Sequence, residues 1–408
     1  MLSPEDVRFI TSNKDRIDEA FRACDLNDRL GTMATLNREF GESARAVAEL
    51  FYARASAVGK YPDPESMVLC TDSAQQATPW IIASHRAERI ARYCASTPSI
   101  TRVQDITCSV GTEILALQAH YGEHGGSGPL LIGSDIDAGR LAMAKANGLR
   151  CILQMDALHP AVHIAAGNEP HTVIIADPAR RAGGKRIVAP EDLMPPLPDV
   201  VETYAGQLLV IKCAPGLDYS EWQGIVSIAS VDGSVKEACL YSSHFAKSPG
   251  QVREAVVFRG GQLHDFIDST EPELNQTDTR PPGRYIVEPD GAVIRAGLVA
   301  HWAARHDLWF LDPHIAFLSG DSIPAGHSGW EVISQVPIKK LKAEVKAQGF
   351  SSVEILVRGA NYDPDQLRKK LALGKKGKKG ATQGAIIIAR IGDTAQAFVC
   401  SAREFAEK

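Results

Sequence analysis

The stretch from residue 99 to about 213 most constrains how this chain folds. Five short apolar runs follow one another there: RVQDIT, PLLIGSD, RCILQMD, TVIIAD and QLLVIK. Between the first three lie GTEILALQAHYG and DAGRLAMAKANG, two segments of helical pattern, each closed by a glycine. Strand and helix in alternation predict a parallel sheet with crossover helices. Two later runs, VKEACLYSS and EAVVFRG, have no helical pattern between them and are expected to close the sheet as an antiparallel pair.

The flanks read differently. Residues 1–98 carry helical signals. Ser3-Pro4-Glu5-Asp6 reads as a helix start, with a cap residue, a proline at the first helical position and acids in the first turn. ESARAVAELFYARASAVGKY has helical apolar spacing, and TPWIIASHRAERIARYCA opens on another start signal. Arg86, Arg89 and Arg92 in that last segment are expected on a solvated face. Near residue 263 a third region begins. DSTEPELNQTDTRPPGR reads as a linker. EVISQVPIKKLKAEVKAQGFSSVEILVRG, GAIIIARIG and AQAFVCSA then suggest a small α+β domain.

Composition narrows the function. The formal net charge of −5 carries no polycationic signature, so any nucleic-acid contact must come from a local patch. No apolar run reaches the roughly 18 residues of a membrane span, and the N-terminus shows no signal-peptide pattern. The eight cysteines are scattered without C-x-x-C spacing, which argues against zinc and disulfides and for a reducing cytoplasm. No metal site is expected: His301, His306 and His314 share no ligand spacing with acids.

In open α/β sheets ligands bind beyond the carboxyl ends of the strands. Four of these strands end in or run into an acid: Asp105, Asp135, Asp156 and Asp177. Any one alone reads as a helix cap or a turn; four in succession point to a site. The first turn, DITCSVGTE, offers only Gly111 and no G-x-G-x-x-G cradle for a pyrophosphate. An acid at the first strand end repels phosphates and suits a ligand with an ammonium and a sulfonium, namely S-adenosylmethionine. Asp135 would then accept from the ribose hydroxyls, and Asp156 would sit near the adenine amino group.

DITCSVGTE, GSDIDAGRLAMAKAN, QMDAL and IIADPARR resemble, in order, the motifs of class I S-adenosylmethionine-dependent methyltransferases over residues 99–262. The resemblance implies an α/β, Rossmann-like sheet, mostly parallel with one antiparallel strand. A helical region at 1–98 would precede it and a small α+β domain at 263–408 would follow. It also implies donor-binding roles for Asp105, Thr107, Gly111, Asp135 and Asp156. Thr107 and Ser109 depart from the family's usual first-motif glycines. YIVEPDGAVIRAG, LDPHIAFL, ILVRGANYDPDQLRKKL and GAIIIARI resemble the THUMP-like domain that follows methyltransferase domains of the DPARR type. That arrangement implies methylation of structured RNA, a tRNA or rRNA.

In methyltransferases that act on base amino groups, the fourth strand ends in Asp/Asn-Pro-Pro-aromatic. The acid and the next carbonyl orient the amino nitrogen, and the ring stacks on the flipped base. Here Asp177 and Pro178 are kept, Ala179 replaces the second proline and Arg180 the ring. A guanidinium stacks on a base or grips a phosphate, so Asp177, Pro178 and Arg180 are expected to be catalytic. Arg181, Lys185 and Arg186 are expected to bind substrate. Arg368, Lys369, Lys370, Lys375, Lys376, Lys378 and Lys379 form a second basic patch. Its loop lysines 375, 376, 378 and 379 suit backbone contact, without aromatic residues for stacking.

Two other readings stand beside this one: a small-molecule methyltransferase, and a catalytically inactive RNA-binding protein. Lys212-Cys213-Ala214-Pro215 also loosely resembles the Cys-Asn-Pro ending of uridine C5 methyltransferases, in which a thiolate adds to the base. The asparagine is missing, and a single cysteine at a strand end is commonly a small buried apolar residue. Amino or ring-nitrogen methylation directed by Asp177 is therefore the expectation.

Overall fold

The computed structural model describes residues 1–124, 128–160, 171–179, 181–182, 185–186, 189–371, 374–375 and 382–407. The chain divides into two compact units. Met1–Lys247 with Phe258–His264 forms the first, and Ser248–Val257 with Asp265–Lys408 the second.

The first unit opens with six helices: α1 (Pro4–Ser12), α2 (Lys14–Ala23), α3 (Arg29–Phe40), α4 (Ala44–Ser56), α5 (Thr71–Gln76) and α6 (Trp80–Ser96). The predicted start of α1 is a complete capping box. The Ser3 hydroxyl accepts from the Asp6 amide, and the Asp6 carboxylate accepts from the Ser3 amide. Leu2, Val7, Ile10, Ile17, Leu36, Val47, Leu50 and Phe51 form one core, which also takes in Val110 and Met143 of the α/β part. Burying each such side chain contributes about 1.5–3 kcal/mol, so these helices are packed onto the sheet domain.

The alternating stretch supplies β1 (Arg102–Asp105), α7 (Thr112–His124), β2 (Leu130–Asp135), α8 (Ala138–Ala146), β3 (Ile152–Gln154) and β4 (Thr172–Ala176). The two-residue strands β5 (Arg181–Ala182) and β6 (Lys185–Arg186) pair with each other, and α9 (Leu197–Thr203) leads to β7 (Leu208–Cys213). The sheet then adds β8 (Gly224–Val231) and β9 (Ser234–Ser242). These strands run in the order β8-β9-β7-β4-β1-β2-β3. Neighbours from β7 to β3 are parallel, and β9 runs antiparallel to both β7 and β8. The sheet core joins Val103, Val173, Ile175, Leu208 and Val210 to Ala83, Ala87 and Ile90 of α6.

Two expectations are corrected here. The antiparallel closing pair is β8 with β9. The run EAVVFRG is instead β10 (Arg253–Arg259), followed by β11 (Gln262–Asp268), which occupies the start of the expected third region. Arg86 and Arg89 are buried, not solvated; of the three only Arg92 is exposed, beside Glu88. Arg86 shares the inward face of α6 with Ala83, Ala87 and Ile90 because its two carboxylate partners lie elsewhere in the chain.

The second unit holds β12 (Tyr285–Val287), α10 (Gly291–Arg295), α11 (Val299–Arg305), β13 (Trp309–Phe310), β14 (Leu318–Gly320) and β15 (Ser328–Pro337). It continues with α12 (Leu341–Ala347), β16 (Ser352–Arg358), α13 (Pro364–Leu371), β17 (Gly374–Lys375), β18 (Gln383–Ile391), β19 (Thr394–Ser401) and β20 (Glu404–Phe405). The sheet order is β13-β14-β12-β15-β19-β18-β16-β17, with β20 beside β15. On β18, Ala385, Ile387 and Ala389 face one core while Ile386 and Ile388 face the other. Burial on both faces explains the unbroken apolar run GAIIIARI. Among the described residues no helix is long and apolar enough to cross a membrane.

Candidate active site at the strand ends of the first sheet

β1 and β2 each end in a buried acid. Asp105 accepts a hydrogen bond from the Thr107 amide at 3.0 Å. The Thr107 hydroxyl oxygen in turn accepts from the Asp177 amide at 2.6 Å, tying the end of β4 to the first turn. Asp135 accepts from the amides of Ser109 and Asp137, both at 3.0 Å. The turn between β1 and α7 therefore curls over the end of β2. Ser109 and Gly111 take φ of +49° and +93° to make that curl. A Cβ on Gly111 would also lie 2.4 Å from Leu149, so glycine is required there on both counts.

Behind these acids is a buried charge network. Lys212, near the end of β7, has its ammonium 2.8 Å from Asp177 and 3.2 Å from Glu113. Arg86 lies 2.7 Å from the same Glu113 oxygen and also pairs with Glu237 of β9, which accepts from the Thr78 hydroxyl. Burial alone would push Glu113 up, but Arg86 and Lys212 hold it below the ordinary glutamate value. Lys212 is likewise held above its ordinary value, Asp177 and Glu113 outweighing burial. Asp105 is the exception. Burial first, then the Glu113 charge, pushes it up to about 8.

Taken with Asp105 protonated, Asp177, Glu113 and Glu237 face Arg86 and Lys212 in the ion pairs among the described residues, three carboxylates to two cations. That balance suits a sulfonium and an ammonium. The carboxylate of Asp135 has lone pairs beyond the two its amides use. The residues present therefore fit S-adenosylmethionine: Asp105 and the Thr107–Gly111 turn would hold its amino-acid side and Asp135 its ribose side.

Comparison with known proteins agrees. An S-adenosylmethionine-dependent methyltransferase of Mycobacterium tuberculosis, found in strains CDC 1551 and H37Rv, is 38% identical over 375 residues, spanning 88% of this chain and 96% of the relative. The chain belongs to the S-adenosylmethionine-dependent methyltransferases. The THUMP domain-like family matches residues 327–402 of the methyltransferase, so a THUMP-like domain lies in its C-terminal part. A crystal structure from Porphyromonas gingivalis W83, designated a methyltransferase, shares the fold. It has a TM-score of 0.66 at 17% identity, covering 96% of this chain and 99% of that one.

Other residues singled out in the sequence of the methyltransferase are placed unevenly. Asp156 lies past the end of β3, half-exposed, accepting from the Leu158 amide and pairing with His159. The Leu158 amide, then His159, hold it below the ordinary aspartate value. No side-chain hydrogen bond or ion pair joins it to Asp105, Asp135 or Asp177 among the described residues. Pro178 follows Asp177, and the Ala179 amide donates to the Met194 carbonyl at 2.8 Å. Arg180, Lys376, Lys378 and Lys379 lie outside the described residues. Arg181 and Arg186 are register partners in the β5–β6 pair, and Lys375 sits opposite Val353 on β16. Arg368 turns to Asp365, while Lys369 and Lys370 are exposed.

Cys213 is fully buried. Successive strand residues face opposite sides of a sheet, so the Lys212 ammonium, committed to Asp177 and Glu113, is directed away from the thiol. Sequence reading missed Glu113, Arg86 and Glu237. The one available signal was Lys212 itself, a lysine closing an otherwise apolar strand, since a buried lysine requires partners.

Proposed function

We propose that this methyltransferase is of the DPARR type and methylates a base in structured RNA, a tRNA or rRNA, in the cytoplasm. The observation that carries the reading is one chain joining a donor site at Asp105 and Asp135 to a THUMP-like domain, with Asp177-Pro178 at the intervening strand end. When bound, S-adenosylmethionine supplies the methyl group. The Asp177 carboxylate and the Pro178 carbonyl accept hydrogen bonds from the acceptor amino group and aim its lone pair. Lys212 and the Thr107 hydroxyl fix Asp177 from two sides, so the aspartate is positioned before substrate arrives. Arg180 stacks on or clamps the substrate. Arg181, Lys185 and Arg186 grip its phosphates, and Lys375, Lys376, Lys378 and Lys379 contact its backbone.

Mass spectrometry of nucleosides from cells with and without the protein tests this. One methylated nucleoside should vanish without it and return on expression of the wild type, but not of Asp177→Ala. The variant should lose on the order of a hundredfold in rate through lost positioning. Its fold should survive, because Lys212 keeps Glu113 as a partner. An unchanged nucleoside profile, from a protein shown to bind the donor, would overturn the RNA assignment. A Cys213→Ser variant should keep most of the activity.

A further inference from the structure

The second unit contains a side-chain cluster outside the site described above. Asp265 on β11, His306 at the end of α11 and His327 just before β15 bring one ligand-type atom each within 4.8 Å of one another. All three belong to the same compact unit. Nε2 of His306 is buried and, among the described residues, has no hydrogen-bond partner. An ordinary core histidine pairs its ring nitrogens, because a buried polar atom left unmade costs about 1–3 kcal/mol. Burial, more than the Arg305 charge, holds this ring below the ordinary histidine value despite Asp265.

The carboxylate is fixed as a metal-binding carboxylate usually is. Its Oδ1 accepts from Arg305 at 2.8 Å and its Oδ2 from the Trp302 indole at 3.1 Å. His327 Nε2 lies 4.0 Å from the same Oδ2. The Trp302 ring, fully buried, packs against both histidines, with centroids 4.4 Å from His306 and 5.0 Å from His327. Asp265 and Glu271 together outweigh Arg305, which pairs with both, so the cluster has a negative charge in excess.

We propose that Asp265, His306 and His327 bind a divalent cation of the zinc class, with water completing the shell. Two imidazoles and a carboxylate are a ligand set for zinc, and for cobalt as its spectroscopic stand-in. Metal–ligand bonds of about 2.0–2.1 Å place ligand atoms about 3.4 Å apart in a tetrahedron, so a side-chain adjustment on the order of 1 Å closes the site. The ion would staple β11, the end of α11 and the start of β15, joining residues that precede the THUMP-like match to its first residue, His327.

Titrating chelator-treated, full-length protein with Co²⁺ tests the proposal, followed by visible absorption and by metal analysis after gel filtration. Wild type should take up one ion per chain with a tetrahedral cobalt spectrum, and Zn²⁺ should displace it. His306→Gln and His327→Gln should each weaken uptake at least tenfold, while His301→Ala, beside Glu273 in the same region, should leave it unchanged. No uptake by wild type would overturn the proposal even if the variants fail to fold. So would uptake that survives both substitutions in folded protein, or an octahedral, histidine-independent spectrum.

Discussion

Two charged clusters, one in each unit, are treated in opposite ways. In the first, Arg86, Lys212, Glu113 and Glu237 are all buried, and each is held by a charge from a distant part of the chain. In the second, Lys339, Lys340, Lys342 and Lys346 around α12 and Lys369 and Lys370 on α13 are exposed. Both helices anchor to the same core through Leu341, Val345, Leu367 and Leu371. Burial makes a charge structural, since removing its partner leaves it stranded in a poor solvent. Exposure leaves a charge cheap to change and available to a polyanion.

The sharpest way to break this contrast is Arg86→Met. It strands Glu237 and half-strands Glu113, and should cost about 3–5 kcal/mol, seen as a lowered urea midpoint. If Arg86→Met shifts the midpoint no more than Lys369→Gln does, the network is not structural.

Asp135→Ala comes next. It removes a charged acceptor contributing about 1.5–3 kcal/mol, so donor affinity by calorimetry should fall roughly tenfold or more while the fold persists. Equal affinity in the variant would remove Asp135 from the donor site.

The third effect is a pH slope. Asp105 is pushed up to about 8 in the folded protein, against 3.8 ordinarily. The folded state thus keeps a proton that the unfolded chain releases. This contribution to stability is complete below about pH 4 and is lost as pH rises through about 8, at no more than about 1.4 kcal/mol per pH unit. Asp105→Asn should flatten the decline of unfolding free energy over that window; an identical slope in the variant counts against the assignment. Donor binding that recruits the ionised Asp105 should release a proton, measurable calorimetrically in buffers of different ionisation enthalpy.

The smallest effect on stability is expected from the lysines. Lys369→Gln with Lys370→Gln should move it by no more than about 0.5 kcal/mol. If the face binds RNA, the double variant should flatten the salt dependence by roughly 0.7–0.9 of a log–log unit per lost phosphate contact. An unchanged salt slope would make these lysines a solvated face and nothing more.

The parallel sheet was legible because its strands are buried on both faces and its crossovers carry helical periodicity, both local signals. Asp177 was legible because a carboxylate after four apolar residues is conspicuous, and Asp105 and Asp135 because they close successive strand-like runs in the same way. β8 was not: GIVSIASV interleaves small and polar residues in a strand buried along nearly its whole length. The pairing of Arg86 was illegible too. Its partners lie 27 and 151 residues away, and helical spacing is silent about both. The convergence of Asp265, His306 and His327 has the same origin, since three elements bring together residues that share no sequence spacing.

Thr107 stands where relatives of this kind usually carry glycine, and the fold uses its oxygen. The hydroxyl accepts the Asp177 amide and lies 3.5 Å from the Asp105 carboxylate, so a chain of contacts runs from the acceptor motif to the donor turn. Thermodynamic coupling of Asp177 and Asp105 through this one side chain is the expected outcome. Thr107→Gly and Asp177→Ala should not add in a double-mutant cycle on turnover. Across homologues, a glycine at this place should be accompanied by a different residue or water serving the amide of the fourth-strand aspartate. The departure from the family pattern should thus behave as a covarying pair, in which a change at one position alters what the other can tolerate.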